Sequence, residues 1–400
     1  MLNHPLISCD DHLDLNQMPA DVWTSRFPLQ IRSRAPHVED RDGRALWVCD
    51  GENWGTWLGK APGVGGPKPL FTALDRGGVD YTERRPCVPG LRLADMDRDG
   101  VYAHVLFGPV TSIRHGDVEL RDTRYRVYND WLEEFCAVAP GRLLGVPMLP
   151  PSPESALQEL RRLANQGSFK QANLQIAVAD PPIRDSRWEP LFQLLEETGM
   201  ILAFHVTVFA SASNAFDALR GSPGATFLHA KTFVEQFLDP FVDLFAFGIL
   251  ERHPGLRIVI AESGAGWLPW VVEELDYRHW RLWEAKEYWS DKGGIPLLTT
   301  PSELFKRQVY ATFQQSPVTM RLLEFYGDNL LWASDYPHPD SIWPNSRATI
   351  ERTMGHLPAE VVRKITCGNA ARLYRLNPQS GTDTVARHGE EQLESKTWLV

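Results

Sequence analysis

The chain has 400 residues, too many for one ordinary small domain at ~100–200 residues each, which leaves two domains or one large α/β barrel. Hydrophobic residues make up 43% and charged residues 23%, a composition that excludes wholesale disorder. With 41 Lys and Arg against 51 Asp and Glu, the formal charge of −10 repels phosphate backbones and anionic lipid, so neither nucleic acid nor a membrane surface is an expected partner. Five cysteines (Cys9, Cys49, Cys87, Cys136, Cys367) lack CxxC spacing, which points to reduced thiols rather than a disulfide framework or a thiolate zinc site. The start, MLNHPLISCDDHLDL, has no basic n-region or apolar h-region, and Asp239 and Asp243 interrupt the most apolar later stretch. The expected location is cytoplasmic.

Taken in chain order, short runs rich in Val, Ile, Leu and Phe read as eight strands, at 5–11, 101–107, 142–148, 171–177, 200–206, 257–262, 308–313 and 329–334. Between them the apolar residues recur at helical spacing over 123–138, 153–164 behind Ser152 as N-cap, 188–197 closing at Gly199, 230–252, 267–286, 318–326 and 347–354. Alternation of apolar strands with helices is the pattern of a parallel sheet, and eight such units predict a closed (β/α)8 TIM barrel over residues 1–376. Such a barrel needs ~250 residues, and the longest gap between strands, 15–90, reads as an insert after the first strand that rises over the C-terminal mouth as a cap. Asp42-Gly43 within it marks a hairpin, Gly63–Gly66 a loop without the context of a phosphate cradle, and Trp54 and Trp57 are its candidates to line a pocket. Trp267, Trp270, Trp280 and Trp283 fall at helical spacing and read as core or interface, and 377–400 as a polar tail.

Barrel enzymes carry their reactive side chains at the C-terminal ends of strands. Here strand one ends in Asp10-Asp11-His12, strand five in His205, strand six in Glu262, and strand eight in Asp335 followed by His338. Carboxylates mixed with neutral imidazoles are the ligands of a catalytic divalent ion, and burying so many ionisable groups costs several kcal/mol each unless they are compensated. Because side chains alternate along a strand, Asp10 and His12 are read as the inward pair, with Asp11 pointing away and Asp14 beyond the strand end.

These residues, with ILAFHV, ERHPGLRIVIAESGAGWLPWVVEELD, NLLWASDYPHPDSIWP and GNAARLYRL in this order, make the chain resemble the amidohydrolase-2 family, the metal-dependent TIM barrels related to aminocarboxymuconate semialdehyde decarboxylase and γ-resorcylate decarboxylase. The resemblance implies a first-strand pair of His12 with Asp10 or Asp14, His205 as the strand-five ligand and Asp335 as the strand-eight ligand that accepts a proton from activated water. It also implies a dimer, either a homodimer or a heteromer with a paralogous subunit.

The departure is on strand six, where decarboxylating members carry a proton-handling His and this chain has Glu262. A glutamate replaces it as general base if burial raises its pKa, or it bridges to a second ion completed by His338 and by His229 after strand five. The expected cofactor is one or two divalent ions, zinc or, for so carboxylate-rich a set, iron or manganese. The expected function is a metal-dependent hydrolase or decarboxylase acting on a small carboxylated or cyclic molecule. The alternatives are a dinuclear iron or manganese oxygenase like the 2-aminoisobutyrate hydroxylase type, and a catalytically silent subunit supporting a paralogue.

Overall fold

The computed structural model describes residues 3–58, 72–109, 117–207, 224–286 and 298–378. Its strands are β1 (Leu6–His12), β2 (His37–Arg41), β3 (Arg44–Cys49), β4 (Glu52–Thr56), β5 (Val101–Phe107), β6 (Leu143–Gly145), β7 (Met148–Leu149), β8 (Gln171–Leu174), β9 (Ile201–His205), β10 (Ile258–Ala261), β11 (Val309–Phe313) and β12 (Leu330–Trp332). All eight expected runs contain a strand, the fourth ending early because a 3-10 turn begins at Ile176.

The chain is a mixed α/β fold of parallel strands alternating with helices, and its ladders fall into two sheets, β1-β5-β6 and β12-β11-β10-β9-β8-β7, rather than one continuous ring. Individual bonds span the two seams. At one, Val146 N–H donates to Leu106 and Asn173 N–H to the Pro147 carbonyl. At the other, Asp335 N–H donates to the Asp10 carbonyl (2.9 Å) and His12 N–H to the Tyr336 carbonyl (2.7 Å). The second seam ties the ends of the first and last strands together where the candidate ligands lie.

Strand alternation gives each parallel strand two apolar faces. Ile7, Cys9, Ala103, Val105, Ala203, Val259, Ala261 and Leu331 form an inner cluster with Cys367, Ala370 and Tyr374 of the C-terminal helices. The outer faces pack on helices such as Pro153–Gln166, whose Ala156, Leu160 and Leu163 are buried at helical spacing and whose end is set by Gly167 at φ 73°. In β1 the alternation is broken: between Ser8 and Asp11 one extra residue is accommodated against β5. This bulge lets Cys9 join the inner cluster while Asp10 reaches across to His205, and Asp11 turns to Ser334.

The hairpin at Asp42-Gly43 is present, with both residues at positive φ (57° and 75°) as a two-residue type I′ turn requires, and β4 extends it to a three-stranded antiparallel sheet. Trp54 packs under the Arg124 guanidinium and edge-on to Trp23, and the Trp57 indole donates to the Met18 carbonyl, so both fasten the sheet to the rest of the fold. Residues 63–66 and most of the 377–400 tail lie outside the described residues.

Two helical expectations are corrected. The 230–252 segment is two helices, Gly224–Ala246 and Ile249–Arg252, because Gly248 adopts φ 65°. Residues 318–326 likewise divide at Leu322. In the Leu268–Glu284 helix, Trp270, Trp280 and Trp283 are more than half exposed, so among the four tryptophans Trp267 alone packs on the core. The Pro89–Asp99 helix was not anticipated; it begins at the insert's end and leads into β5. All five cysteines are free. No helix among the described residues is long and apolar enough to cross a membrane.

Asn369, in the GNAARLYRL stretch, is buried and donates to the carbonyls of Gly327 and Leu330, fixing the start of β12. Asn369→Ala leaves those carbonyls without this donor and should cost about 1–3 kcal/mol. Urea unfolding measures it, and an unchanged midpoint would show that the bond is dispensable.

Candidate metal centre

Six side chains from β1, β9, the end of β10 and the loop after β12 meet at the C-terminal ends of the strands. Their ligand atoms form two groups, Asp10–His12–His205 and His12–Glu262–Asp335–His338, and within each group the atoms lie within 4.8 Å of one another. His12 belongs to both. Its Nε2 stands 2.9 Å from Asp335 Oδ1, 3.6 Å from Asp10 Oδ1 and 3.9 Å from Glu262 Oε2, while His205 Nε2 is 3.2 Å from both Asp10 Oδ1 and Glu262 Oε2.

Backbone geometry aims the two strand-end carboxylates. Glu262 and Asp335 both follow a strand in the left-handed region, at φ 55° and 58°. A non-glycine residue held there costs of order 1–3 kcal/mol and persists only where its surroundings enforce it. Thr312 of β11 is one such constraint: its hydroxyl donates to Asp10 Oδ2 (2.9 Å) and accepts from Glu262 N–H (2.9 Å), linking two candidate ligands. On the other face of β1, Asp11 accepts from Ser334 Oγ (2.6 Å) and Tyr336 N–H (3.0 Å), so it fastens strand ends rather than facing the ion.

Asp14 lies past the strand and meets His338 (Nε2 to Oδ1, 3.4 Å), outside both ligand groups. The His338 ring stacks on His12 with centroids 3.7 Å apart, and its Nδ1 approaches Asp335 Oδ1 at 2.9 Å. His229 falls in the Gly224–Ala246 helix, but its side chain lies outside the described residues. Thr312, Ser334 and Arg92 were not singled out in the sequence. Arg92 is fully buried and donates to the His12 carbonyl (2.8 Å). Hydroxyls on strands are common, so only the register that sets Thr312 beside the end of β10 marks it out.

Charge is unevenly held. Burial holds His12 well below the ordinary imidazole value, reinforced by His338 and His205, and so leaves it neutral as a ligand must be. Burial pushes the Glu262 carboxyl well above the usual carboxylate range, with Asp335 adding to the effect. Burial alone would lower His338, but the carboxylates of Asp335 and Asp14 outweigh it and hold the imidazole well above its ordinary value.

The residues fit a divalent ion. Both ring nitrogens of His12, Glu262 Oε2 and both Asp335 oxygens are buried without a well-directed hydrogen-bond partner, a costly state for polar atoms that ligation would relieve. Phe107 packs its ring 4.5 Å from that of His205 and walls this side of the cluster with hydrocarbon.

The chain is similar to known proteins over most of its length. The Amidohydrolase family profile matches residues 57–376. The γ-resorcylate decarboxylase of Rhizobium radiobacter is 26% identical over 261 residues, spanning 62% of this chain and 75% of that protein. Among solved structures, an amidohydrolase from Mycobacterium avium subsp. paratuberculosis K-10 superposes with a TM-score of 0.70 at 19% identity, covering 94% of this chain and 100% of that one. The 5-carboxyvanillate decarboxylase of Novosphingobium aromaticivorans DSM 12444, solved with manganese, gives 0.58 at 18% identity and covers 93% and 96%. At these identities the structural likeness is one of fold.

Two outcomes are expected. His205→Ala and Asp335→Asn should each lose tight binding of Mn²⁺ while remaining folded, as equilibrium dialysis and circular dichroism would report; retained affinity in either variant removes that residue from the ligand set. Second, their surroundings favour the protonated forms of Glu262 and His338, and a ligand must shed its proton, so filling their group should release protons and strengthen as pH rises. The Asp10–His12–His205 group holds an already neutral His12 and should respond less. Calorimetry in buffers of different ionisation enthalpy separates the two, and proton-independent binding of every ion would contradict the charge assignment.

Proposed function

Because the chain belongs to the amidohydrolase family, we propose that it is a divalent-metal-dependent hydrolase or carboxy-lyase acting on a small carboxylated or cyclic molecule. The observation that carries this reading is the convergence of Asp10, His12, His205 and Asp335, with buried atoms of His12 and Asp335 lacking a well-directed hydrogen bond, at the C-terminal ends of the strands. The architecture proposed with it is the closed (β/α)8 barrel, with residues 15–90 folded over its mouth.

A divalent ion held by these residues supplies Lewis-acid polarisation of a carboxylate or carbonyl and acidifies water. The chain's own groups supply the rest. His12 and His205 present neutral nitrogens, and Phe107 keeps bulk water from their flank. Asp335, whose Oδ1 lies 2.9 Å from both His12 and His338, receives a proton, and Glu262, whose carboxyl is pushed toward its protonated form by burial and stands 3.2 Å from His205, delivers one to the reacting atom. Glu262 thus takes the position of the strand-six histidine expected of decarboxylating members.

A second reading rests on the second ligand group. Glu262 and His338 extend the set beyond the four primary ligands, and three carboxylates with three imidazoles suit a pair of iron or manganese ions and oxygenase chemistry. Metal analysis of the protein as purified, followed by assay with aromatic and aliphatic carboxylic acids in air and under argon, separates the readings. One ion per chain with oxygen-independent turnover is expected for the first. Two ions with turnover that requires dioxygen would replace it by the second, and metal binding without turnover on any substrate by the chain expressed alone would favour a silent subunit.

A further inference from the structure

The loop that carries His338 is held from two sides. At its base, the Ser341 hydroxyl donates to the Ser334 carbonyl (2.7 Å), Ile342 N–H donates to the same carbonyl (3.1 Å), and His338 N–H donates to Asp335 (2.9 Å). On its outer side stands Arg76, from the far end of the insert. Its Nη1 donates to the Pro339 carbonyl (2.6 Å) and its Nη2 to the Ser341 carbonyl, so one guanidinium fork spans the three residues that follow His338.

The short helix bearing Arg76 is itself fixed against this loop. Thr72 and Asp75 close a capping box at its start, and Ala73 and Leu74 bury themselves against Tyr336 and Trp343 on either side of the loop. Gly77 lies so close to the Trp343 ring that a Cβ there would fall 2.1 Å from it. Arg98 donates to the Gly77 carbonyl (2.8 Å) while its guanidinium covers the other part of Trp343, closing the stack.

We infer that Arg76 is a positioning residue for His338: through the Pro339 and Ser341 carbonyls the insert fixes the loop so that the His338 imidazole lies over His12 and presents Nδ1 to Asp335. Held this way, His338 joins a ligand group that His12 shares with the Asp10–His205 side. Without the brace, the imidazole loses its register with Glu262 and Asp335, whereas Asp10, His12 and His205 keep theirs, being set by strands and by Thr312. The insert is thereby part of the metal centre's scaffold.

This inference rests on the metal-centre reading, and the test keeps their failures apart. Mn²⁺ is titrated into the chelator-treated full-length protein and followed by loss of the free-ion electron paramagnetic resonance signal, for the native chain, Arg76→Ala, Arg76→Lys and Gly77→Ala. Because the inference draws on the second ligand group, the native chain should bind Mn²⁺ in two classes of site; a single class would overturn it and leave the one-ion reading standing. Arg76→Ala should weaken the second class by about 10–100-fold, the usual cost of losing an outer partner of a ligand, and leave the first within about threefold. Arg76→Lys, which can still reach a carbonyl, should recover part of the loss, and Gly77→Ala, which displaces the helix from Trp343, should reproduce it. Equal affinities in the native chain and Arg76→Ala would overturn the inference while leaving the metal centre intact. Failure of the native chain to bind Mn²⁺ would overturn both.

Discussion

Six ionisable side chains share one small buried volume, and mutual compensation among them is the constraint on which the rest of the structure depends. Isolated, a buried carboxylate costs several kcal/mol. Here Asp335 lies between His12 and His338, Asp10 beside His205 with a hydroxyl from Thr312, and burial pushes the excess carboxyl, Glu262, toward its protonated form. Even so, several atoms are left without partners, and they point at one another. A fold selected for stability alone would have no reason to keep such a set.

Much of the surrounding architecture can be understood as holding this set in place. The left-handed backbone at Glu262 and Asp335 is enforced from outside: Thr312 grips the amide of the first, and the Asp10 carbonyl takes the amide of the second. Asp11, facing away from the cluster, joins β1 to the last strand through Ser334 and Tyr336, and Arg92 pins the carbonyl of His12. The bonds that surround the cluster are therefore continuous with the seam between the first and last strands. Movement at that seam would displace His12 and Asp335 together.

The insert has a comparable standing. Its sheet is fastened by indoles that donate to the carbonyls of Leu15 and Met18, just beyond the ligand-bearing end of β1, and its closing helix braces the loop after β12. Residues far apart in the chain thus bear on both ends of the same cluster. The tryptophans serve this attachment through their N–H groups and their faces.

The sequence alone determined the alternation of strands and helices, because burial on both faces of a parallel strand demands runs of Val, Ile and Leu that no other architecture uses so regularly. It also exposed the ligand types, since carboxylates and imidazoles at the ends of such runs stand out from apolar surroundings. Alternation from Asp10 to His12 was enough to set Asp10 inward and Asp11 outward, but only the tertiary structure showed the bulge in β1 that lets Cys9 and Asp10 both face inward, because pairing with β5, not the order of residues, produces it. The same holds for Thr312, Arg76 and Arg92. A hydroxyl or a guanidinium carries no local mark of the carbonyl or carboxylate it will meet across the fold, and its role exists only once distant segments are packed together.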